Sequence, residues 1–393
     1  MHLTSNSLKL LQTVNKTVKD CYKNYDTRQQ ERLNIFIYKI YKQLGLACSS
    51  YNNKENINPE IRYIKNYSLE KKPFMWNSNY FPENIKTYIL RETNSEIIYN
   101  FNINEKLISL HIFNYDGEKD TNIYVKMIYL WLYIAGLYAD KNCSKKIKIY
   151  LYLTHFKKEI ERENTILAPK NINTAYTTSG CNHYGEIIIY RKEEWFKVFI
   201  HETFHNLGLD FSHKNIDNLK DRMREVFKIG SDYNIFETYC ETWARIMNCL
   251  LTSFLLLDNK KNSQEYLEYC NIFLQCERIF SLKQSKKMLR HYNINFEELY
   301  DSKTSLQFKE ETNVFAYYVL TGALMNNYLS FIDWCFNNNN NYFKFNVKPK
   351  NIMLFGKFII RLMNELKRDD TLECIYNHCV KTGNIARMSL IEL

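Results

Sequence analysis

The hydrophobic patterning of this chain is rich in strands before about residue 190 and rich in helices after it, and that change limits the folds open to it. Before it, residues 146–153 alternate Lys146, Lys148, Tyr150 and Tyr152 against Ile147, Ile149, Leu151 and Leu153. That two-residue period is the pattern of a half-buried strand. Residues 106–113 alternate Leu107, Ser109 and His111 against Ile108, Leu110 and Ile112, which leaves both faces partly covered. Residues 85–90, 96–101 and 186–190 also read as strands. After the change, apolar residues recur every three or four positions in 235–257, 264–280, 314–335 and 351–366, the spacing of helices that bury one stripe. The expected fold class is α+β, with a mixed strand–helix part followed by a mostly helical C-terminal part.

The N-terminal segment carries two helical stripes, one through Leu8, Leu10, Leu11, Val14 and Val18, the other through Leu33, Ile35, Ile37, Ile40, Tyr41 and Leu44. A polar stretch at 49–58, ending at Pro59, is the best linker, and Asp116-Gly117 marks a turn. A loop is expected over 157–178, around Pro169. The apolar stretch 123–139 is interrupted by Lys126 and falls short of the ~20 residues a membrane span needs, so a buried helix is expected. These boundaries divide the chain into an N-terminal helical hairpin (1–48), a core (59–257) and a helical C-terminal region (258–393).

The charge balance, 53 basic against 43 acidic residues for a net +10, raises nucleic acid as a partner. The basic residues are spread evenly with no cluster, which fits a solvated surface better. The 11 cysteines are odd in number and scattered, and the first residues are polar. Together these predict free thiols in an intracellular, reducing compartment rather than a disulfide framework.

The chemistry concentrates in His201-Glu202-Thr203-Phe204-His205. Trp195, Val198, Phe199, Phe204 and Leu207 give this segment helical apolar spacing, and Gly208 ends it. Two histidines four apart project from one helix face and can reach a single Zn²⁺ at about 2.0–2.1 Å. Glu202, beside the first histidine, is placed to take a proton from an activated water without occupying the metal. Chance gives roughly 0.01 such pentamers in a chain of this length. A catalytic zinc usually takes a third protein ligand. Glu237 is the leading candidate, because Glu237 and Glu241 share one face of an apolar helix where burying two acids requires partners. Zinc for Glu237, and the distal N–H of a liganding histidine for Glu241, would satisfy both. Asp210 is the alternative ligand, although the metzincin spacing would place that ligand at position 211, which is Phe211.

This pattern, a His-Glu-x-x-His helix followed about thirty residues later by Glu237-Thr238-Tyr239-Cys240-Glu241, resembles the gluzincin branch of the zincin metallopeptidases over roughly residues 145–256. The resemblance implies a zincin-like core and a zinc metallopeptidase cleaving a protein or peptide amide bond, with Glu202 as general base and then acid. It also makes 186–190 an edge strand on which an extended peptide could pair. The composition and flanking sequence resemble uncharacterised proteins of giant DNA viruses, which implies the host cytoplasm or the virion. No counterpart of the gluzincin transition-state donor stands out; Tyr233, Tyr239 and His183 are candidates. Cys374, His378 and Cys379 supply three soft ligands without a fourth, so an ordinary helix is expected there. Two rival functions stand beside the peptidase: a zincin fold without turnover that serves in binding, and a basic nucleic-acid-binding protein with an accidental pentamer.

Overall fold

A computed structural model describes residues 1–53, 57–63, 72–115, 120–160, 163–339, 341–377 and 383–393. The chain forms two units: Lys42–Lys158 with Asn173–Leu209, and Met1–Tyr41 with Glu159–Ile172 and Asp210–Leu393. Two amphipathic helices, α1 (Ser5–Asp20) and α2 (Thr27–Asn52), open the chain as expected, with Leu8 and Ile35 of the expected stripes exposed and Ser7 and Phe36 buried instead; α2 takes up the first residues of the expected linker. Thr4 caps α1 by accepting from the Ser7 amide at 3.3 Å.

The first of these units is built on a six-stranded mixed sheet. Its strands are β1 (Glu60–Tyr63), β2 (Ser95–Ile103), β3 (Lys106–Asn114), β4 (Lys146–Thr154), β5 (Ala175–Thr177) and β6 (Tyr184–Arg191), in the spatial order β1-β2-β3-β4-β6-β5. β1, β2 and β3 are antiparallel, β4 and β6 run parallel to β3, and β5 returns antiparallel on the outside of β6. A two-residue turn joins β2 to β3; Asn104 and Glu105 have φ of 47° and 65°, the positive pair that matches the twist of a tight hairpin. The expected turn at Asp116-Gly117 lies outside the described residues.

Two expectations need correction here. Residues 85–90 are not a strand but lie within helix α3 (Glu83–Glu92). Ile85 and Ile89, one helical turn apart, bury against Trp76, Phe81, Phe113 and Tyr152. Residues 186–190 belong to β6, which is not an edge, because β5 pairs along its outer side from within the expected 157–178 loop. Helix α4 (Asn122–Gly136), apolar on most of its surface, is buried as expected and connects β3 to β4. Helix α6 (Trp195–Asn206) follows β6, and every one of its residues is buried.

The other unit is almost wholly helical. It contains α5 (Pro169–Ile172), α7 (Asp217–Val226), α8 (Ile235–Leu256), α9 (Ser263–His291), α10 (Thr321–Asn326), α11 (Tyr328–Asn338), α12 (Pro349–Arg368) and α13 (Asp370–Asn377). The expected single helix over 314–335 is three pieces: a π-helical segment Phe315–Leu320, α10, then α11 after a break at Asn327. α12 starts with Pro349, whose missing N–H costs nothing at that position, and buries Ile352, Phe355, Ile359, Leu362 and Leu366 on one face.

The cysteines also depart from expectation. Cys21 bonds Cys374, and Cys143 bonds Cys181. Cys48, Cys240, Cys249, Cys270, Cys276 and Cys335 stay outside these two disulfides. Scattered spacing hid the two pairs, since a disulfide needs closeness in space rather than in sequence. His378 and Cys379 lie outside the described residues. Among the described residues no helix is long and apolar enough to cross a membrane.

Candidate metal centre

Both ends of α6 are fixed. At the start, Glu194 adopts φ 58° and its carboxylate accepts from Lys158 Nζ at 2.7 Å, while Glu193 accepts from the Lys158 amide at 2.8 Å. The Lys158–Glu194 pair is closed to solvent, at 1% and 0% side-chain exposure. Burial lowers the Lys158 pKa, and the attraction of Glu194 opposes that shift. A carboxylate at this end also suits the positive end of the helix dipole. At the far end Leu209 N–H donates to Phe204 O at 2.9 Å and Gly208 N–H to His205 O at 3.1 Å. This two-bond closure needs a left-handed residue between them, and Gly208 supplies it with φ 61°.

The flanks of α6 are held as firmly. Trp131 Nε1 of α4 donates to Thr203 Oγ1 at 2.5 Å, and its ring stacks on Phe204 with centroids 6.0 Å apart. Asn206 Nδ2 donates to Thr177 Oγ1 at 3.2 Å and Thr178 Oγ1 at 3.1 Å, and Ser144 Oγ donates to Asn206 O at 2.8 Å. Gly185 sits beside this amide; a Cβ there would meet Asn206 Nδ2 at 2.5 Å, so a larger residue would have to displace the amide from these hydrogen bonds.

His201 and His205 are buried on this helix, and their Nε2 atoms face each other at 3.2 Å. Two nitrogens at about 2.0–2.1 Å from one tetrahedral ion stand roughly 3.3 Å apart, so the pair has the separation of ligands to a shared zinc. One ring could donate to the other at the same distance. A carboxylate favours the shared cation: His201, His205 and Glu237 each offer a ligand atom, and these lie within 4.8 Å of one another. The residues therefore fit a metal ion, and two imidazoles with one carboxylate are a donor set that suits zinc. A second group, His205, Asp210 and Cys240, meets the same distance criterion. Asp210 is thus brought close, as the alternative ligand had to be. Cys240 was missed, since a lone cysteine in an apolar helix carries no spacing signal.

Glu202, at 8% exposure, is buried beside the first histidine. The Tyr190 phenol lies well above its usual pKa, chiefly through burial, with the negative Glu202 carboxylate acting in the same direction. The Tyr190 hydroxyl donates to Tyr80 O at 3.0 Å.

Glu237 stands in the first turn of α8, where the helix dipole favours an acid. Asn313 Nδ2 donates to its Oε1 at 3.4 Å and itself accepts from Asn234 Nδ2 at 2.8 Å. One turn on, Glu241 is buried against Arg245, whose Nε donates to Glu241 Oε1 at 2.9 Å. Arg245 also donates to Ser281 Oγ at 2.7 Å and Tyr317 O at 2.8 Å, so the guanidinium ties α8 to α9 and to the π-helical segment. Of the three candidate donors, Tyr233 donates its hydroxyl to Phe227 O at 2.6 Å and Tyr239 to Phe343 O at 2.8 Å. Both phenols are buried, and burial pushes both far above the usual tyrosine range. His183 is exposed immediately before β6, and its carbonyl accepts from the Lys146 amide at 3.2 Å.

No protein-family model matches this chain, and neither the curated proteins nor the solved structures compared with it yield a match.

Proposed function

We propose that the chain is a zinc-dependent hydrolase that cleaves a peptide amide bond, with His201, His205 and Glu237 holding the metal. The observation that carries this reading is the convergence of the two Nε2 atoms at 3.2 Å with a carboxylate in the same group. A zinc ion held there would polarise a carbonyl oxygen and make water a stronger acid. Glu202 accepts the proton of the attacking water and returns it to the leaving nitrogen, a role that suits a buried carboxylate next to a liganding histidine. The rigid ends of α6 keep Glu202 and both imidazoles on fixed backbone, so little reorganisation is needed when substrate binds. Glu241, one turn behind Glu237, sets the ligand's helix through Arg245. With β5 outermost in the sheet, an extended substrate pairs there and not along β6.

The test is hydrolysis of a peptide library by zinc-loaded protein and by Glu202→Gln. Loss of a proton-transfer group predicts a rate lower by about 10²–10⁴-fold with zinc content unchanged. Full hydrolysis by the variant would remove Glu202 from the mechanism.

A further inference from the structure

The sheet face that packs on α3 carries, further along β3, a second set of reactive side chains. On β3, Ser109 and His111 are two residues apart and so share a face. Ser109 Oγ lies 3.0 Å from His111 Nε2, and Glu96 Oε1 of β2 lies 2.7 Å from His111 Nδ1. A carboxylate at that distance holds the proton on Nδ1 and leaves Nε2 to accept from the serine hydroxyl. The His111 ring stacks on Tyr150, with centroids 4.9 Å apart and planes 20° apart, which fixes its orientation. Glu96 is 6% exposed and His111 14%, so the acid is enclosed while the base borders solvent.

We propose that Ser109, His111 and Glu96 form a metal-independent nucleophilic site that transfers the acyl group of a carboxylic ester to water. Serine, base and orienting acid stand within hydrogen-bond reach in the order that nucleophilic catalysis requires. A groove of about 480 Å³ opens at Ser109, lined among others by Asn100, Asn102, Leu107, Lys148 and Tyr184. Strand register puts Asn100 and Lys148 directly opposite Ser109 on its two neighbouring strands, hence on the same face. Both carry N–H donors for the oxyanion that forms next to the serine. A polar ladder serving only the sheet would have no use for a groove at its serine.

In the first half-reaction Ser109 Oγ bonds the acyl carbon as its proton passes to His111 Nε2. The ester C–O bond breaks, and His111 returns that proton to the departing alkoxide, giving an alcohol and an acyl-serine. In the second, His111 takes a proton from water, the hydroxide adds to the acyl carbon, and the Oγ–C bond breaks. The carboxylic acid leaves and Ser109 recovers its proton. Ser109 and His111 are the catalytic residues; Glu96 is a positioning residue.

The site is tested by treating the full chain with a fluorophosphonate in 1,10-phenanthroline and mapping the adduct by peptide mass spectrometry. The expected result is a single adduct on Ser109, absent from heat-unfolded protein, from Ser109→Ala and from His111→Gln. Glu96→Gln should label about 10³–10⁴-fold more slowly, as loss of the orienting acid does in such triads. Glu96→Asp should restore most of the rate, which a merely structural defect would not allow. An unmodified Ser109 in folded wild-type chain would overturn the proposal, as would labelling that the chelator abolishes. The chelator also separates this site from the His201–His205 centre, whose activity it removes.

Discussion

Arg245 offers a sharp perturbation of the helix that carries Glu237. It is fully buried, and Arg245→Met keeps much of its volume while removing its charge and donors. Three acceptors lose a partner: Glu241 Oε1 at 2.9 Å, Ser281 Oγ at 2.7 Å and Tyr317 O at 2.8 Å. Breaking one side of a buried ion pair costs about 3–5 kcal/mol, because the remaining carboxylate loses its counter-ion inside the protein. Each neutral acceptor adds about 1 kcal/mol, and protonation of Glu241 returns part of the total, so about 3–5 kcal/mol stands. Hydrogen exchange over the second half of α8 reads this locally, without assuming that the whole chain unfolds in one step. Amide protection there should fall by about 10²–10⁴-fold. Adding Glu241→Gln should recover part of the loss, since the unpaired charge goes with it. A fall of less than about fivefold would refute the claim that this guanidinium holds α8 in place.

Gly208→Ala places a side chain at φ 61°, where its Cβ would meet Cys181 Cβ at 3.3 Å. A penalty of about 1–2 kcal/mol follows for the left-handed backbone alone, seen as a lower thermal midpoint together with weaker zinc affinity. Cys143→Ser opens a disulfide between residues 38 apart, and chain entropy sets the loss at about 4 kcal/mol, measurable as a lower urea midpoint under non-reducing conditions. Glu310 is pushed up to about 8 by burial from an ordinary value of 4.5. Between those values the folded state keeps a proton that the unfolded chain releases. Its contribution to stability is therefore full below pH 4.5 and is lost as pH rises through about 8. Glu310→Gln removes that slope; urea midpoints from pH 4.5 to 8.5 that vary identically in both proteins would contradict it.

What the sequence disclosed follows the physics of each element. The long amphipathic stripes and the alternating runs of β3 and β4 were legible because their period is set by burial of one face. The α6 helix was legible twice over, through its apolar spacing and its pentamer. Residues 85–90 misled because a short apolar run satisfies both periods; only the packing of Ile85 and Ile89 against Trp76 and Phe81 decides for a helix. β1 was missed because its alternation, Glu60-Ile61-Arg62-Tyr63, lasts only four residues and all of them are exposed, so no buried face extends the pattern. The three residues of β5 were equally silent, and missing them turned β6 into an apparent edge. Ser109 and His111 were visibly on one face of a strand. Glu96 joins them only through the register that the Asn104-Glu105 turn imposes, which no local pattern reveals. The disulfide Cys143–Cys181 likewise depends on how the ends of β4 and β6 meet.

The central claim is that His201, His205 and Glu237 form a zinc site, and metal stoichiometry tests it most directly. Purified chain reconstituted with Zn²⁺ and freed of excess ion should hold one zinc per molecule by mass spectrometry of the elements. His205→Ala, folded by circular dichroism, should hold none, and Glu237→Ala should bind zinc much more weakly. A wild-type chain without stoichiometric zinc after reconstitution, or a His205→Ala chain that keeps it, would contradict the account.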